Sequence, residues 1–482
     1  MLFHRLDYLF FLGLALVGAW GLRRLPLTRV AFLCLASCAF YAAWSFNYLA
    51  LIAFSILADY LVGLGLGRAQ RLWMRRALLA VSLATNLGLL FTFKYADFVA
   101  TAWVDLQRLG GGEVKPASLL GFLLPVGISF YTFQTLSYSI DVYRRRIPVE
   151  RNLLHFALFV TFFPQLVAGP IVRASEFLPQ LTQPPKLARR DVGEGLMRIA
   201  VGLTKKIVFA DYLSLNLVDR AFDNPEAYTA TEMVLALYGF TVQMYCDFSG
   251  YTDVARGSAQ LLGFKLPQNF DRPYQATNPA DFWRRWHMTL STWLRDYLYF
   301  PLGGSRVGPM RAYVNLWLTL FLIGVWHGAS WNFVLYGALQ AFAMVLHRVW
   351  HRWRVRRNEA RPAKARSALT RHTIHVLSVV ACMQFVVFSR ILFRATSLEN
   401  ARQVFLQLGA GSYSVAQLAL PVWAALIFGL GLHYTPRHWY GTLKTRFAAA
   451  PGWAQAVLLL GLGALLAQVA TSEVVPYIYF QF

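Results

Sequence analysis

Two of the ten histidines lie where an imidazole could act as a base in an apolar environment. His327 ends a strongly apolar stretch, Leu316–Trp326, and is followed by Gly-Ala-Ser-Trp-Asn before a second apolar stretch begins. Ionisable groups within such segments are costly, so they are candidates for function. The apolar flanks of His327 disfavour the imidazolium and would keep a neutral base available near neutral pH. These residues alone leave a second interpretation open, a buried histidine that donates to a backbone carbonyl.

His287 is the second candidate, and it ends the segment Asn278-Pro-Ala-Asp-Phe-Trp-Arg-Arg-Trp-His. Asn278 followed by proline is a typical helix start, because the asparagine side chain can accept from the first free N–H groups. Phe282, Trp286 and Trp293 recur at helical spacing and predict one amphipathic helix at the membrane interface. His287 adjoins this aromatic face, where it has either a structural role or a role in a cavity.

Other chemistry finds little support in the sequence. His347 and His351 stand four residues apart, a spacing that metal ligands use, but arginines surround them and no carboxylate is near. The four cysteines show no paired spacing, so we predict neither a disulfide framework nor a metal site. The segment Gly127–Tyr131 lacks the second glycine of a nucleophile elbow. What remains is a general base that acts on a bound substrate, without a bound cofactor.

The elements that must hold these histidines are membrane helices. Of the 482 residues, 57% are apolar and only 14% are charged, whereas a soluble domain carries about a quarter charged residues. A spanning helix needs roughly 20 apolar residues, and with weaker candidates we predict roughly ten to twelve spanning or re-entrant helices. The apolar runs that approach or reach this length are Leu6–Leu22, Val30–Phe46, Tyr48–Leu66, Ala77–Phe93, Leu119–Ile140, Ala312–Val325 and Val457–Val469.

The net charge of +23 fits a membrane topology better than a nucleic-acid surface. Basic residues lie between the apolar runs, and if these loops are cytoplasmic, the first five spans alternate consistently from an outside N-terminus. The same rule places Arg311 and Arg348 on the cytoplasmic side. His327 then lies at the far turn of a hairpin, about 24 Å along the helix from Arg311 and toward the outer leaflet. We therefore predict no nucleic-acid partner.

The sequence divides one predicted membrane domain into four segments. Residues 1–118 are N-terminal hydrophobic helices. Residues 119–347 form a core that polar residues, prolines and glycines interrupt, and such a core indicates a cavity. Residues 348–372 are strongly basic and predict a cytoplasmic loop that contacts anionic lipids. Residues 373–482 are predicted C-terminal helices.

A series of motifs in a fixed order carries a resemblance that covers essentially the whole chain. Together they resemble the membrane-bound O-acyltransferase (MBOAT) family, and most specifically its branch of alginate and related polysaccharide or peptidoglycan O-acetyltransferases. The D-alanyl transfer protein of teichoic acid synthesis belongs to a neighbouring branch. The motifs are Leu124–Gln134, Phe163–Ile171, Tyr245–Asp253, Pro267–Phe270, Asp281–His287, Tyr299–Gly304, Trp326–Asn332, Phe393–Ala395 and Tyr477–Phe482.

The resemblance implies a fold, an activity and a cellular setting. It implies an all-α integral protein of the bacterial inner membrane, in which a ring of helices surrounds a central cavity with a cytoplasmic donor entry and an outward funnel. It identifies His327 with the essential histidine of the family and His287 with its second hallmark histidine. The implied partners are an acyl thioester such as acetyl-CoA, a periplasmic esterase-like acetyltransferase, and an exported polysaccharide such as alginate, cellulose or peptidoglycan.

Acyl transfer from a thioester needs a base for the attacking hydroxyl and donors for the developing oxyanion. His327 fits the first role. Candidates for the second are Asn332, the Trp331 indole and His287. Three arginines could attract a phosphate-bearing donor, although lipid head groups explain them equally well; they are Arg284, Arg285 and Arg295.

Two other functions stay open. The chain could transfer D-alanine or another acyl group from a carrier protein to a cell-envelope polymer. It could also be a transporter without chemistry. Transporters commonly carry inverted repeats with paired broken helices, and the sequence contains no recognisable internal repeat.

Overall fold

The computed structural model describes residues 3–110, 119–360, 367–470 and 475–478. In these ranges the chain forms α-helices, short π- and 3-10-helical segments and no β-strand, which confirms the all-α prediction. The first eleven α-helices are α1 (Leu6–Gly21), α2 (Pro26–Ala42), α3 (Leu49–Arg68), α4 (Leu72–Leu90), α5 (Ala96–Leu109), α6 (Ile128–Tyr143), α7 (Leu153–Thr161), α8 (Phe163–Leu166), α9 (Ala174–Leu181), α10 (Arg189–Thr204) and α11 (Asp219–Asp223). They are followed by α12 (Ala230–Leu261), α13 (Pro279–Arg285), α14 (Met288–Leu294), α15 (Pro309–His327), α16 (Trp331–Ala360), α17 (Ala368–Ser389), α18 (Ile391–Arg394), α19 (Leu398–Leu408), α20 (Leu420–Tyr434), α21 (Arg437–Ala449) and α22 (Gly452–Val469). The π-helical segments are Phe91–Tyr95, Lys205–Asp211, Ser214–Val218 and Arg295–Tyr299.

The predicted apolar runs coincide with helices to within a few residues, except at one end of two runs. The helix of the run Ala77–Phe93 continues to Arg108. The run Leu119–Ile140 becomes helical only at Ile128. Gly127 sets this boundary, because its φ of +80° is a left-handed conformation that favours glycine. A Cβ atom at this position would also lie 2.6 Å from the carbonyl oxygen of Leu166. The helix predicted from Leu119 to Gly127 was therefore wrong, because tertiary packing fixes the backbone there.

The helices expose apolar surface that suits lipid better than water. Among the described residues, five helical stretches are long and apolar enough to cross a membrane. In α22 only 11% of the most apolar stretch is buried, and on α1 Phe10 and Leu14 are each 73% exposed. Apolar surface on this scale marks a membrane contact, so the chain is a multi-pass membrane protein, as predicted. The five stretches are Tyr48–Arg68, Leu72–Arg108, Trp331–Glu359, Ala368–Arg394 and Gly452–Val469.

The chain divides into two compact units. Their boundaries differ from those of the four predicted segments, because α12 contributes to both units and so does the C-terminal part of the chain. Unit 1 consists of Met1–Leu203, Tyr251–Pro267 and Lys444–Val457, and unit 2 consists of Thr204–Gly250, Gln268–Leu443 and Leu458–Phe482.

Unit 1 contains a buried carboxylate that joins three helices. Asp59 on α3 is fully buried. It accepts hydrogen bonds from Ser82 Oγ at 2.5 Å, Asn86 Nδ2 at 2.7 Å and Ser139 Oγ at 2.8 Å. These donors lie on α4 and α6, so the hydrogen bonds that offset the desolvation of Asp59 also fix the packing of α3 against both helices.

Unit 2 contains both candidate histidines and a buried ion cluster. Lys206 Nζ lies 2.7 Å from a carboxylate oxygen of Asp211 and 2.7 Å from one of Asp247. Lys206 and Asp211 are five residues apart and share a helix face because the segment is π-helical, with an i to i+5 repeat. The other oxygen of Asp247 accepts from the backbone N–H of Ile478 at 2.8 Å. The cluster therefore ties the C-terminal segment to α12.

We expect Lys206→Met to destabilise the protein by about 3–5 kcal/mol, because two buried carboxylates would lose their counterion. Thermal unfolding of the purified protein in detergent, followed by tryptophan fluorescence, measures the effect. The matched control is Lys265→Met, since Lys265 is exposed, and its melting temperature should equal that of the wild type. Equal melting temperatures for both variants would show that the cluster does not stabilise the fold.

The basic residues that follow position 347 are more helical than predicted. Helix α16 continues through Arg348 to Ala360, and α17 begins at Ala368. Part of the predicted loop is therefore helix, and the Arg352 guanidinium supports it by lying 5.0 Å from the Tyr313 ring centroid. Residues 361–366 of that loop, and residues 479–482 of the C-terminal motif, lie outside the described residues. The cytoplasmic location of the basic residues stays a prediction.

Candidate active site

His327 is held at the turn between two closely packed helices. It is the last residue of α15, and α16 begins four residues later at Trp331. A Cβ atom on Gly324 would lie 2.2 Å from the Gly337 Cα, so the two backbones approach too closely for larger residues. At the turn, a Cβ atom on Gly328 would lie 2.1 Å from the Phe333 ring. This packing fixes the backbone from which the His327 imidazole projects.

Aromatic rings surround the His327 imidazole. Its side chain is buried, with 4% of the residue exposed. The ring centroid lies 5.0 Å from that of Trp326, 5.2 Å from that of Phe393 and 6.5 Å from that of Tyr336. Such an environment excludes bulk water, so a charge that forms beside His327 is poorly screened.

His287 lies at a break between two short helices rather than within one. The helix start at Asn278 is confirmed, because its side chain accepts from the Asp281 N–H at 2.9 Å. Helix α13 ends at Arg285, however, and α14 begins at Met288. His287 itself has a φ of +43°, which is uncommon for a residue other than glycine. The single amphipathic helix predicted through Trp293 was therefore wrong.

Asn269 explains this break. Its backbone carbonyl accepts from the Met288 N–H at 3.0 Å. Its side-chain Oδ1 accepts from the Thr289 N–H at 3.2 Å and from Thr289 Oγ1 at 2.9 Å. These bonds satisfy the first free N–H groups of α14 from a residue eighteen positions away from His287. Strained backbone that the surroundings enforce in this way is typical of functional sites.

The same asparagine fixes the protonation of His287. The imidazole Nδ1 lies 3.1 Å from Asn269 Oδ1. A backbone N–H can only donate, so the Thr289 bond identifies that asparagine atom as the oxygen, which can only accept. His287 Nδ1 must therefore carry the proton, and Nε2 of the neutral ring carries the lone pair. Donation from Nε2 to an oxyanion would require the imidazolium.

The structure brings the two predicted histidines together in unit 2. Trp326 connects them, because its ring centroid lies 6.1 Å from that of His287 and 5.0 Å from that of His327. His287 is fully buried and packs edge-on against Phe248 at a centroid distance of 4.8 Å. The candidate active site therefore consists of His287, at the strained break between α13 and α14, and His327, at the closely packed turn between α15 and α16.

We expect Asn269→Asp to lower acyl transfer about tenfold at neutral pH, because a carboxylate would favour the His287 imidazolium and remove the Nε2 lone pair. The activity of this variant should rise with pH as the imidazolium loses its proton. A pH profile of acyl transfer in membrane vesicles measures this, with Asn216→Asp as a control, because Asn216 donates to the Tyr212 carbonyl away from both histidines. Higher activity for Asn269→Asp at neutral pH would instead identify His287 as an oxyanion donor.

The other predicted polar groups have partners of their own. Asn332 is buried and donates from Nδ2 to the Ala395 carbonyl at 2.7 Å, so one of its two N–H groups is already engaged. Trp331 is half-buried at the first turn of α16. The Asn332 bond is to a backbone carbonyl and not to a histidine. The predicted donor roles of Asn332 and Trp331 stay predictions.

The three predicted phosphate-binding arginines each have a carboxylate partner. Arg284 and Arg285 lie 3.3 Å and 3.1 Å from the oxygens of Asp281, and Arg295 lies 2.7 Å from Asp296. Partial burial raises the pKa of Asp281, but hydrogen bonds from Arg285 and Arg284 outweigh it and hold that pKa below its usual value. An incoming phosphate would compete with these carboxylates, so binding of the donor by the arginines remains a prediction.

Comparison with known proteins places this site in a family. The model of the MBOAT, membrane-bound O-acyltransferase family, matches residues 144–381. A protein of Pseudomonas putida named as a probable alginate O-acetylase is 34% identical, over 98% of this chain and 97% of its own length. The chain belongs to the membrane-bound O-acyltransferase family. This O-acyltransferase is also similar to a peptidoglycan O-acetyltransferase of Helicobacter pylori, at 35% identity over 82% of the chain and 76% of that protein.

A more distant relative is named for a different activity. A teichoic acid D-alanyltransferase of Bacillus subtilis is 28% identical over 58% of this O-acyltransferase and 70% of its own length. The predicted family and enzyme class are thus confirmed. The catalytic roles of His327 and His287 stay predictions. Sequence reasoning quoted Asn269 within a motif but gave it no role, because only the fold shows that it fixes the ring of His287.

Proposed function

We propose that this O-acyltransferase moves an acetyl group from a cytoplasmic thioester donor across the bacterial inner membrane for O-acetylation of an exported polysaccharide. The observation that carries this proposal is the pair of buried imidazoles at the α15–α16 turn and the α13–α14 break, in a chain of this family. Support for acetyl comes from the names of the relatives aligned over most of the chain. The D-alanyl alternative has support only at lower identity and lower coverage of the chain.

The chemistry assigned to the site is transfer of an acyl group from sulfur to oxygen. His327 removes the proton of the attacking hydroxyl as its oxygen bonds to the thioester carbonyl carbon. His287 accepts a hydrogen bond through Nε2 and so orients a hydroxyl or a water beside His327. The hydroxyl belongs to the acceptor or to a periplasmic esterase-like partner that passes the acetyl group on. Acetyl-CoA is the proposed donor.

A labelled-donor experiment tests this function. Inverted inner-membrane vesicles that contain the protein receive radiolabelled acetyl-CoA on the cytoplasmic face, with the polysaccharide and periplasmic partner inside. Base-labile label on the polysaccharide, dependent on the protein, is the expected result. Parallel vesicles receive D-alanyl carrier protein. Label from the D-alanyl donor alone would replace acetyl by D-alanyl transfer, and label from neither donor would contradict the proposal.

A further inference from the structure

Unit 2 also contains a buried arginine that has no carboxylate partner among the described residues. Arg390 belongs to the apolar stretch Ala368–Arg394 and is only 2% exposed. A buried charge is normally paired, because desolvation is otherwise too costly. Among the residues that the structure describes, no carboxylate forms an ion pair with Arg390. An unpaired cation in such a stretch is a candidate for function, and the partner that it meets has to be identified.

Neutral groups hold the guanidinium in place without cancelling its charge. Nη1 donates to the Thr241 carbonyl at 3.1 Å and to Tyr274 Oη at 2.9 Å. The Cζ atom lies 5.3 Å from the Tyr274 ring centroid and 5.0 Å from that of Trp286. The face of an aromatic ring attracts a cation but does not neutralise its charge as a carboxylate would. Nε and Nη2 of Arg390 donate to no acceptor within the described ranges. Most N–H groups of the guanidinium can therefore still donate to a bound substrate.

One residue links Arg390 to each of the two histidines. Trp286, which its guanidinium contacts, directly precedes His287. Phe393 donates its backbone N–H to the Arg390 carbonyl at 3.1 Å, and the Phe393 ring packs against His327 at 5.2 Å. All these residues belong to unit 2. Arg390, which has no carboxylate partner among the described residues, therefore lies in the layer of residues that packs around the proposed reaction centre.

The reaction of the proposed function, on which this inference rests, creates a negative charge at that centre. The hydroxyl oxygen bonds to the thioester carbon and its proton passes to His327, while the carbonyl π electrons move onto the carbonyl oxygen. When the C=O bond re-forms, the C–S bond breaks, and sulfur leaves with the electron pair and takes the proton from the imidazolium. Thioester and hydroxyl are both neutral. The oxyanion is thus the anionic species that arises between them.

We infer that Arg390 supplies the positive charge that stabilises this oxyanion. A cation without a counterion in the resting site interacts weakly with neutral reactants and strongly with an anionic transition state, and only such a difference accelerates the chemical step. This assignment also supplies an oxyanion-stabilising group that the sequence did not reveal, since one N–H of Asn332 is engaged elsewhere and the Nε2 atom of His287 carries a lone pair.

The test compares Arg390→Met and Arg390→Lys with Arg402→Met. Arg402 is an exposed arginine on α19 paired with Glu399, so its replacement controls for loss of a positive charge. Methionine at 390 keeps volume and removes the charge. It leaves the two acceptors of Nη1 paired with each other, because Tyr274 Oη also donates to the Thr241 carbonyl at 2.7 Å. Replacing a buried charge by an apolar residue is often neutral or stabilising.

Two measurements on the full-length protein separate the possible results. Acetyl-CoA is titrated against vesicles, with acetyl transfer and thiol release as readouts, and thermal unfolding is followed without substrate. We expect Arg390→Met to lower kcat about 10- to 100-fold with KM and melting temperature unchanged. Arg390→Lys should recover part of kcat, and Arg402→Met should match the wild type.

Other outcomes overturn the assignment. A melting temperature that falls together with activity would make Arg390 a structural cation. A higher KM with normal kcat would make it a binding group for the ground-state donor. If the wild-type protein itself fails to transfer acetyl, the proposed function fails. Thermal unfolding does not depend on acetyl transfer, so it can be measured in that case as well. A lower melting temperature for Arg390→Met would independently identify Arg390 as a structural cation.

Discussion

Replacement of His327 by glutamine is expected to reduce the rate of O-acylation by a factor of about 10²–10⁴, which is the usual contribution of a general base. Glutamine keeps a polar side chain that can form hydrogen bonds, but it cannot take up the proton of the attacking hydroxyl. His327→Ala should be equally inactive. The measurement is ester-linked acetate on the exported polymer, normalised to the amount of the protein in the membrane.

The control for this variant is His433, a third buried histidine of unit 2. His433 accepts the backbone N–H of Tyr274 through Nε2 at 3.0 Å, so it has a structural partner and no role in the proposed reaction. Glutamine at position 433 can accept the same hydrogen bond, and activity should stay within a few-fold of the wild type. Near-normal acylation by His327→Gln would make His327 a structural residue and would rule out the mechanism proposed here.

Hydropathy was sufficient to predict many of the long apolar helices. Apolar runs map onto helices because a membrane segment must satisfy its own backbone hydrogen bonds. The failures lie where a distant residue sets the backbone. Gly127 adopts its left-handed conformation against the Leu166 carbonyl, and no pattern within Leu119–Ile140 signals that contact.

The sequence identified the residues of the candidate site, but it did not predict how they are arranged. Both histidines were identified, and the structure places them together. The break at His287 depends on Asn269, which is eighteen residues away, so helical spacing around Trp286 could not reveal it. One contact of the site region could have been predicted from the sequence. Asp281 precedes Arg284 by three residues and Arg285 by four, which is the spacing of helical ion pairs.

Arg390, unlike the two histidines, could not be identified as a functional residue from the sequence. At the end of an apolar run, an arginine resembles the many cations that anchor helices at a membrane interface. Only the three-dimensional contacts show that it is buried and unpaired beside Trp286. The charge balance of a buried site is a property of the fold, because it depends on which carboxylates reach the group.

The second large effect is expected from His287→Ala, which should lower acyl transfer about 100-fold while the protein remains folded. The physical reason is the fixed tautomer: Nδ1 donates to Asn269 at 3.1 Å, so Nε2 carries the lone pair that would accept from the attacking hydroxyl in the proposed reaction. Alanine removes that acceptor, but His327 can still take the proton of a less well-oriented hydroxyl. Residual activity should therefore exceed that of His327→Gln, in the same assay of ester-linked acetate.

A double variant decides whether the two histidines act in one step. If His287 only orients the group that His327 deprotonates, adding His287→Ala to His327→Gln should cost little more than His327→Gln alone, because residues that act as a unit are not additive. Thr289→Ala is the control, since it removes the hydroxyl that donates to Asn269 Oδ1 and leaves the imidazole in place, and it should retain most of the activity. Fully additive losses would assign the histidines to separate steps, and wild-type activity of His287→Ala would reduce His287 to a packing residue.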